Sequence, residues 1–221
     1  MRKTIVLIVI MVQCFFVMSQ TYNPEKAARY AQRWCNGRNT NAADATEWGG
    51  PYIDYSLYYN GGKDCAAFVS QCLIFGGLDL RAGTDGHGAY VKTDNVIAGA
   101  AQLVQHLDSF QTCTKTMVDQ GTYYLDADLG DPCFLLNAYG NLTTAYHSYI
   151  CSQLDENAMA LFSAHTNDVC NTVPRSDYRR SLGIVMKKFL EKSFNTKNSV
   201  FLRLEKSPGG GIGRRAGLKN R

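Results

Sequence analysis

Apolar residues recur at helical spacing in three stretches of the first half of the chain. In "NPEKAARYAQRWCNG" (23–37), Ala27, Tyr30, Ala31 and Trp34 fall on one face. Asn23 suits the cap, Pro24 the first turn and Gly37 the stop. "GGKDCAAFVSQCL" (61–73) predicts a second helix, opened by Cys65 and ended near Phe75 by Gly76 and Gly77. "NVIAGAAQLVQHLDSF" (95–110) predicts a third, with Val96, Ala100, Leu103, Val104 and Leu107 on one stripe. From Thr122 the pattern shortens to strands. "DPCFLLNAY" and "AYHSYIC" flank a Gly-Asn turn and predict a hairpin, and "AMALFSAHT" predicts a third strand. Helices first and a sheet afterwards indicate an α+β layer fold, N-terminal helices packed on an antiparallel sheet.

The intervening segment 39–62 reads as a loop rich in Gly, Pro and Asn. Its Trp48 and tyrosines either line a groove for a polymer or cover the core. After about Arg180 the character changes again: "IVMKKFLEKSF" reads as a short amphipathic helix, and "SPGGGIGRRAGLKNR" is too rich in Gly and Arg to pack.

Composition narrows the class. With 221 residues, 45% of them hydrophobic and 19% charged, the chain can bury a proper core. Arg2 and Lys3 precede an apolar run, residues 4–18, and Ser19 stands near a plausible cleavage point. That pattern predicts a signal peptide over 1–20, with Cys14 part of its apolar core. The run is short for a membrane span, so no stable span is expected once it is removed. The expected location is secreted, periplasmic or cell-envelope, where disulfides form. Charge is uneven. Residues 20–174 carry 8 Lys and Arg against 16 Asp and Glu, whereas residues 175–221 carry 13 against 3. The reading is an acidic domain over 21–174 followed by a basic tail, 175–221, a short helix and then disorder. No nucleic-acid partner is expected.

Seven cysteines follow the signal segment: Cys35, Cys65, Cys72, Cys113, Cys133, Cys151 and Cys170. The number is odd, so at least one thiol is left over. The spacings match no zinc motif, and neither metal nor cofactor is expected. Cys133 and Cys151, placed near-symmetrically about Gly140-Asn141, are expected on neighbouring strands as disulfide candidates. Cys72 reads as core or as a disulfide partner.

Cys65 is the candidate nucleophile. A helix start carries unpaired N–H groups and partial positive charge, which favour a thiolate and an oxyanion. The alternative for a cysteine there is packing. A thiol nucleophile needs a base. His106 lies among apolar neighbours in a predicted helix and reads as structural, and His87 lies in a glycine-rich loop and reads as solvated. His147 shares a strand face with Tyr149 and Cys151, and His165 ends the next strand. On adjacent strands the two imidazoles can approach, one as base and the other orienting it; Asn167 or Asp168 could orient it instead.

Taken together, "DCAAFVSQCL", "GDPCFLL", "HSYIC" and "SAHTNDV" resemble the putative amidase domain family, which belongs with the NlpC-like and CHAP-like branch of papain-fold cysteine hydrolases. "NPEKAARYAQRW" also resembles the family's opening helix, and the likeness covers roughly residues 22–172. It implies a papain-like fold, Cys65 as nucleophile, His147 as general base and His165, ahead of Asn167, as the third polar residue. It places Asp64 beside the oxyanion pocket. It also implies a peptidoglycan or peptide-like polymer as substrate. Two features depart from the family pattern: Ala66-Ala67 stand where Thr-Asn is common, and the cysteines are numerous. The rival readings are a papain-shaped binding module that has lost catalysis and a disulfide-rich structural domain with Cys65 bridged.

Overall fold

The computed structural model describes residues 22–57, 63–80, 95–118, 127–138, 140–166, 169–173 and 182–190. The segment 1–20 expected to be a signal peptide, Gly61, Gly62, His87, Asn167, Asp168 and the chain beyond residue 190 lie outside the described residues.

Helix α1 spans Pro24–Trp34, and the Asn23 side chain accepts a hydrogen bond from the Lys26 N–H at 2.9 Å. That is the expected cap, on one of the first-turn donors a helix cannot pair internally. Helix α2 is a single turn, Ala45–Trp48; α3 is Cys65–Phe75, and α4 is Ala100–Phe110. Every residue of α3 from Cys65 to Leu73 is buried, so this helix is an internal strut. Tyr30 of α1 donates to the Gln71 side chain on it at 3.1 Å. Helix α4 starts five residues later than its apolar pattern predicts. The Ser70 hydroxyl donates to the Ile97 carbonyl (2.9 Å) and accepts from the Ile97 N–H (3.3 Å), which holds this backbone outside the helix.

Among the described residues six strands follow: β1 Thr112–Val118, β2 Pro132–Leu136, β3 Ala145–Leu154, β4 Ala160–Ala164, β5 Val169–Thr172 and β6 Leu182–Leu190. They form one sheet in the order β1-β6-β2-β3-β4-β5, every pair antiparallel. The α+β class is as expected, and so are the β2–β3 hairpin and the β4 strand that follows.

The segment "IVMKKFLEKSF" corrects the sequence reading. Leu182–Leu190 is a strand, not an amphipathic helix, and it sits inside the sheet between β1 and β2. Ile184, Val185 and Met186 are fully buried. Ile184 and Met186 join the cluster shared with the helices, and Val185 joins a second cluster with Cys133, Leu135, Tyr149, Cys151 and Phe162. A strand covered on both faces reads as a continuous apolar run, and periodicity alone cannot separate such a run from a buried helix.

The aromatic loop also resolves. Trp48, Tyr52 and Tyr55 are buried against Tyr30 and Phe75 and cover the core rather than line a groove. Gly130, of the Gly-Asp pair, has φ +80°, and a Cβ there would fall 2.5 Å from Pro24. Only glycine lets the entry to β2 pack this closely on the start of α1, where the Tyr22 hydroxyl donates to the Gly130 carbonyl at 2.6 Å.

Cysteine pairing differs from the expectation. Cys35, just after α1, is bonded to Cys170 in β5. Cys133 and Cys151 do lie on neighbouring strands, but both are free, because Cys133 stands opposite Tyr149 rather than Cys151. Cys72 is a buried free thiol of the core.

Candidate active site

Cys65 is the first residue of α3 and a free thiol, 8% exposed. The structural reading in which it is bridged is therefore corrected. Its place follows from the sequence: Asp64 has non-helical dihedrals, and the apolar run that must be buried begins at once. Burial pushes the thiol up from its ordinary range, and Asp64 adds to that push. Ser148, through side chain and backbone, and the backbone of Ala66 act the other way. Burial wins, so in the unliganded protein the group rests as a thiol.

His147 stands near the start of β3, opposite Leu135 of β2. Its ring meets that of Tyr149 edge to face, with centroids 4.4 Å apart, on the face expected from the two-residue spacing. Burial holds this imidazole down to about 4, so at neutral pH it is uncharged and able to take a proton. Cys65 and His147 line one cleft of about 250 Å³ with Lys63, Tyr146 and Thr166. Tyr146 is among the few large apolar side chains left exposed. The cleft thus offers a thiol, a neutral imidazole, an ammonium, an aromatic ring and a hydroxyl.

His165 is placed otherwise than expected. It follows β4 directly, on the strand beside that of His147, but its ring turns inward and is 1% exposed. Nδ1 lies 2.8 Å from Asp64 Oδ2 and Nε2 lies 2.9 Å from the Trp34 carbonyl oxygen. Both nitrogens are engaged, which leaves neither to orient His147. Phe68 stacks on the ring at 4.0 Å between centroids.

Asp64, expected by the oxyanion pocket, directly precedes Cys65 as the N-cap residue of α3. Its carboxylate, 3% exposed, is gripped from the other side by Arg38, with Nε 2.8 Å from Oδ2 and Nη2 3.3 Å from Oδ1. Sequence reasoning missed Arg38. Its signal was available: a cation in a domain poor in them, shortly after the first helix. His106 is buried on α4, in line with a structural role.

Asp131, beside Gly130, is buried and accepts the Asp128 N–H at 2.8 Å. Burial pushes its carboxyl up to about 7. Among the described residues, no group of His, Cys, Asp and Glu is arranged to hold a metal ion, and no helix is long and apolar enough to cross a membrane.

No curated protein and no solved structure matches the chain. One family model does, that of the putative amidase domain, over residues 21–189. The match takes in the helix opened by Cys65, the hairpin carrying His147, and β6. With most of its length matched, the chain belongs to the putative amidase domain family, whose description points to hydrolysis of amide bonds.

Proposed function

We propose that the protein is a secreted cysteine amidohydrolase or endopeptidase of papain-like fold that cleaves amide bonds of peptidoglycan. The observation that carries this reading is the shared cleft. Cys65 opens an internal helix and His147 stands on a neighbouring strand, 82 positions away in sequence, yet both line one pocket. A free thiol at a helix start next to an uncharged imidazole is what acyl transfer requires.

The amide carbonyl docks over the N-terminal end of α3. The Cys65 proton passes to His147 as sulfur attacks carbon, and the carbonyl oxygen becomes an oxyanion held by the first N–H groups of the helix. His147 then gives that proton to the leaving nitrogen as the C–N bond breaks. Water, deprotonated by the same imidazole, attacks the acyl carbon and breaks its bond to sulfur, which takes the proton back from the imidazolium. No metal or cofactor enters these steps.

Lys63 and Tyr146 supply the substrate reading. An ammonium and an exposed ring beside the nucleophile suit a peptide bearing carboxylates, as peptidoglycan stem peptides do. The Cys35–Cys170 bond agrees with an exported protein. The test is digestion of purified cell-wall fragments with identification of products by mass. New amine and carboxyl ends made by the wild type and not by Cys65→Ala support the proposal. Intact fragments alongside cleavage of a simple peptide amide would remove the substrate and leave the chemistry.

A further inference from the structure

Asp64 is the N-cap residue of α3, yet its side chain accepts no hydrogen bond from that helix. This is unusual, because an aspartate at an N-cap ordinarily bonds the first-turn N–H groups. Had it done so here, it would occupy donors that an oxyanion needs and put negative charge against the Cys65 thiol. We propose that Arg38 and His165 are positioning residues for Cys65. Together they hold the Asp64 carboxylate off the first turn of α3, and Arg38 offsets its negative charge behind the nucleophile.

The hydrogen bonds fix the arrangement. The Trp34 carbonyl can only accept, so His165 Nε2 donates to it at 2.9 Å. On the other side of the ring Nδ1 lies 2.8 Å from Asp64 Oδ2, and the Arg38 guanidinium lies against both carboxylate oxygens and offsets their charge. Trp34 ends α1, and the face of Phe68 covers the His165 ring. The Cys35–Cys170 bond ties the end of α1 to the segment just past His165.

A merely structural role would join α1, α3 and β4. Buried ion clusters are poor at that, since desolvation offsets most of the attraction. Among the described residues, the charged and titratable groups around the thiol are Asp64 and Lys63 on its own segment, His147 and Tyr146 from β3, and Arg38 and His165 behind. Of these described groups, only Asp64 opposes a thiolate, and Arg38 and His165 are the groups placed on it.

The inference rests on Cys65 being the nucleophile, and the experiment separates the two claims. The rate of Cys65 alkylation by iodoacetamide is measured against pH in the full chain, by peptide mass, with a melting curve for each variant. Arg38→Met should move the profile up by about one pH unit. Asp64→Asn, which keeps the Arg38 charge, should move it down. The double variant should return it close to wild type, because the two charges cancel. Arg38→Lys should recover most of the wild-type profile. A fall in melting temperature with an unmoved profile overturns the proposal. If Arg38→Met does not fold, Asp64→Asn alone decides: no downward shift overturns it. If wild-type Cys65 reacts no faster than the other thiols, the nucleophile itself is wrong and this proposal falls with it.

Discussion

His147, on β3, and His165, just past β4, come from neighbouring strands of one sheet; both are nearly sealed from solvent, and they differ in where their rings are placed. His165 turns inward, with one nitrogen against a carboxylate and the other against a backbone carbonyl. His147 packs on an aromatic edge, lines the cleft with Cys65, and is held by burial to about 4. A general base needs a lone pair at the pH where it works, and an uncharged imidazole in the cleft meets that need. Two imidazoles near one thiol therefore need not form a relay. In the proposed mechanism His147 handles the proton, and His165 holds the carboxylate that precedes the thiol.

The sharpest way to break this contrast is His147→Ala. It should lower turnover by about 10²–10⁴, the usual worth of acid–base help, without a matching loss of folded protein by circular dichroism. Equal losses in His147→Ala and His165→Ala would erase the distinction.

Next in size is the covalent tie on the His165 side. Replacing Cys35 and Cys170 together by Ala should cost about 2–4 kcal/mol in denaturant unfolding, as expected for a disulfide that closes a long loop. Turnover per folded molecule should change much less than it does for His147→Ala.

The pH dependence of stability sharpens the His147 side. Its imidazole is lowered from 6.5 to about 4 in the folded protein. As pH falls, the unfolded chain takes up this proton first, so stability is full above about 6.5 and is lost progressively down to about 4. The loss is roughly 3 kcal/mol from this group. His147→Gln should flatten that window of the stability curve. An unchanged slope would mean that burial does not hold the ring neutral.

The smallest effect is expected for His165→Asn. The amide can still donate to Asp64 but cannot reach both partners, so turnover should fall by no more than about tenfold while the melting temperature drops. A loss as large as that of His147→Ala would place His165 in the proton path.

Much of this was legible in the chain. Helix α1 shows its cap, its proline and its apolar stripe, and α3 announces itself by two glycines and an unbroken apolar run. The hairpin of β2 and β3 is marked by its turn. What escaped notice was set by tertiary contacts. In Thr112–Val118 threonine alternates with Cys113, Lys115 and Met117, too weak an apolar pattern to identify β1 without its partner β6. Strand β6 hides its period because both faces are covered. The start of α4 was misplaced because Ser70, 27 positions away, takes the backbone groups of Ile97. At the site, Cys65 stood out by residue type and its place at a helix start, whereas the choice of His147 over His165 as base came from the family likeness. The partners of His165 could not be named, since Arg38, Asp64 and Trp34 come from segments that only the fold brings together.

The central claim is that one thiol, Cys65, does the chemistry with His147 as its base. It is tested most directly by titrating the protein with a thiol-reactive probe at neutral pH. Labelled peptides are mapped by mass while residual amide hydrolysis is followed in the same samples. The account predicts that Cys65 is labelled first, that activity disappears in proportion to its labelling, and that His147→Ala slows both. Full labelling of Cys65 with hydrolysis intact, or loss of hydrolysis while Cys65 stays unlabelled, would contradict it.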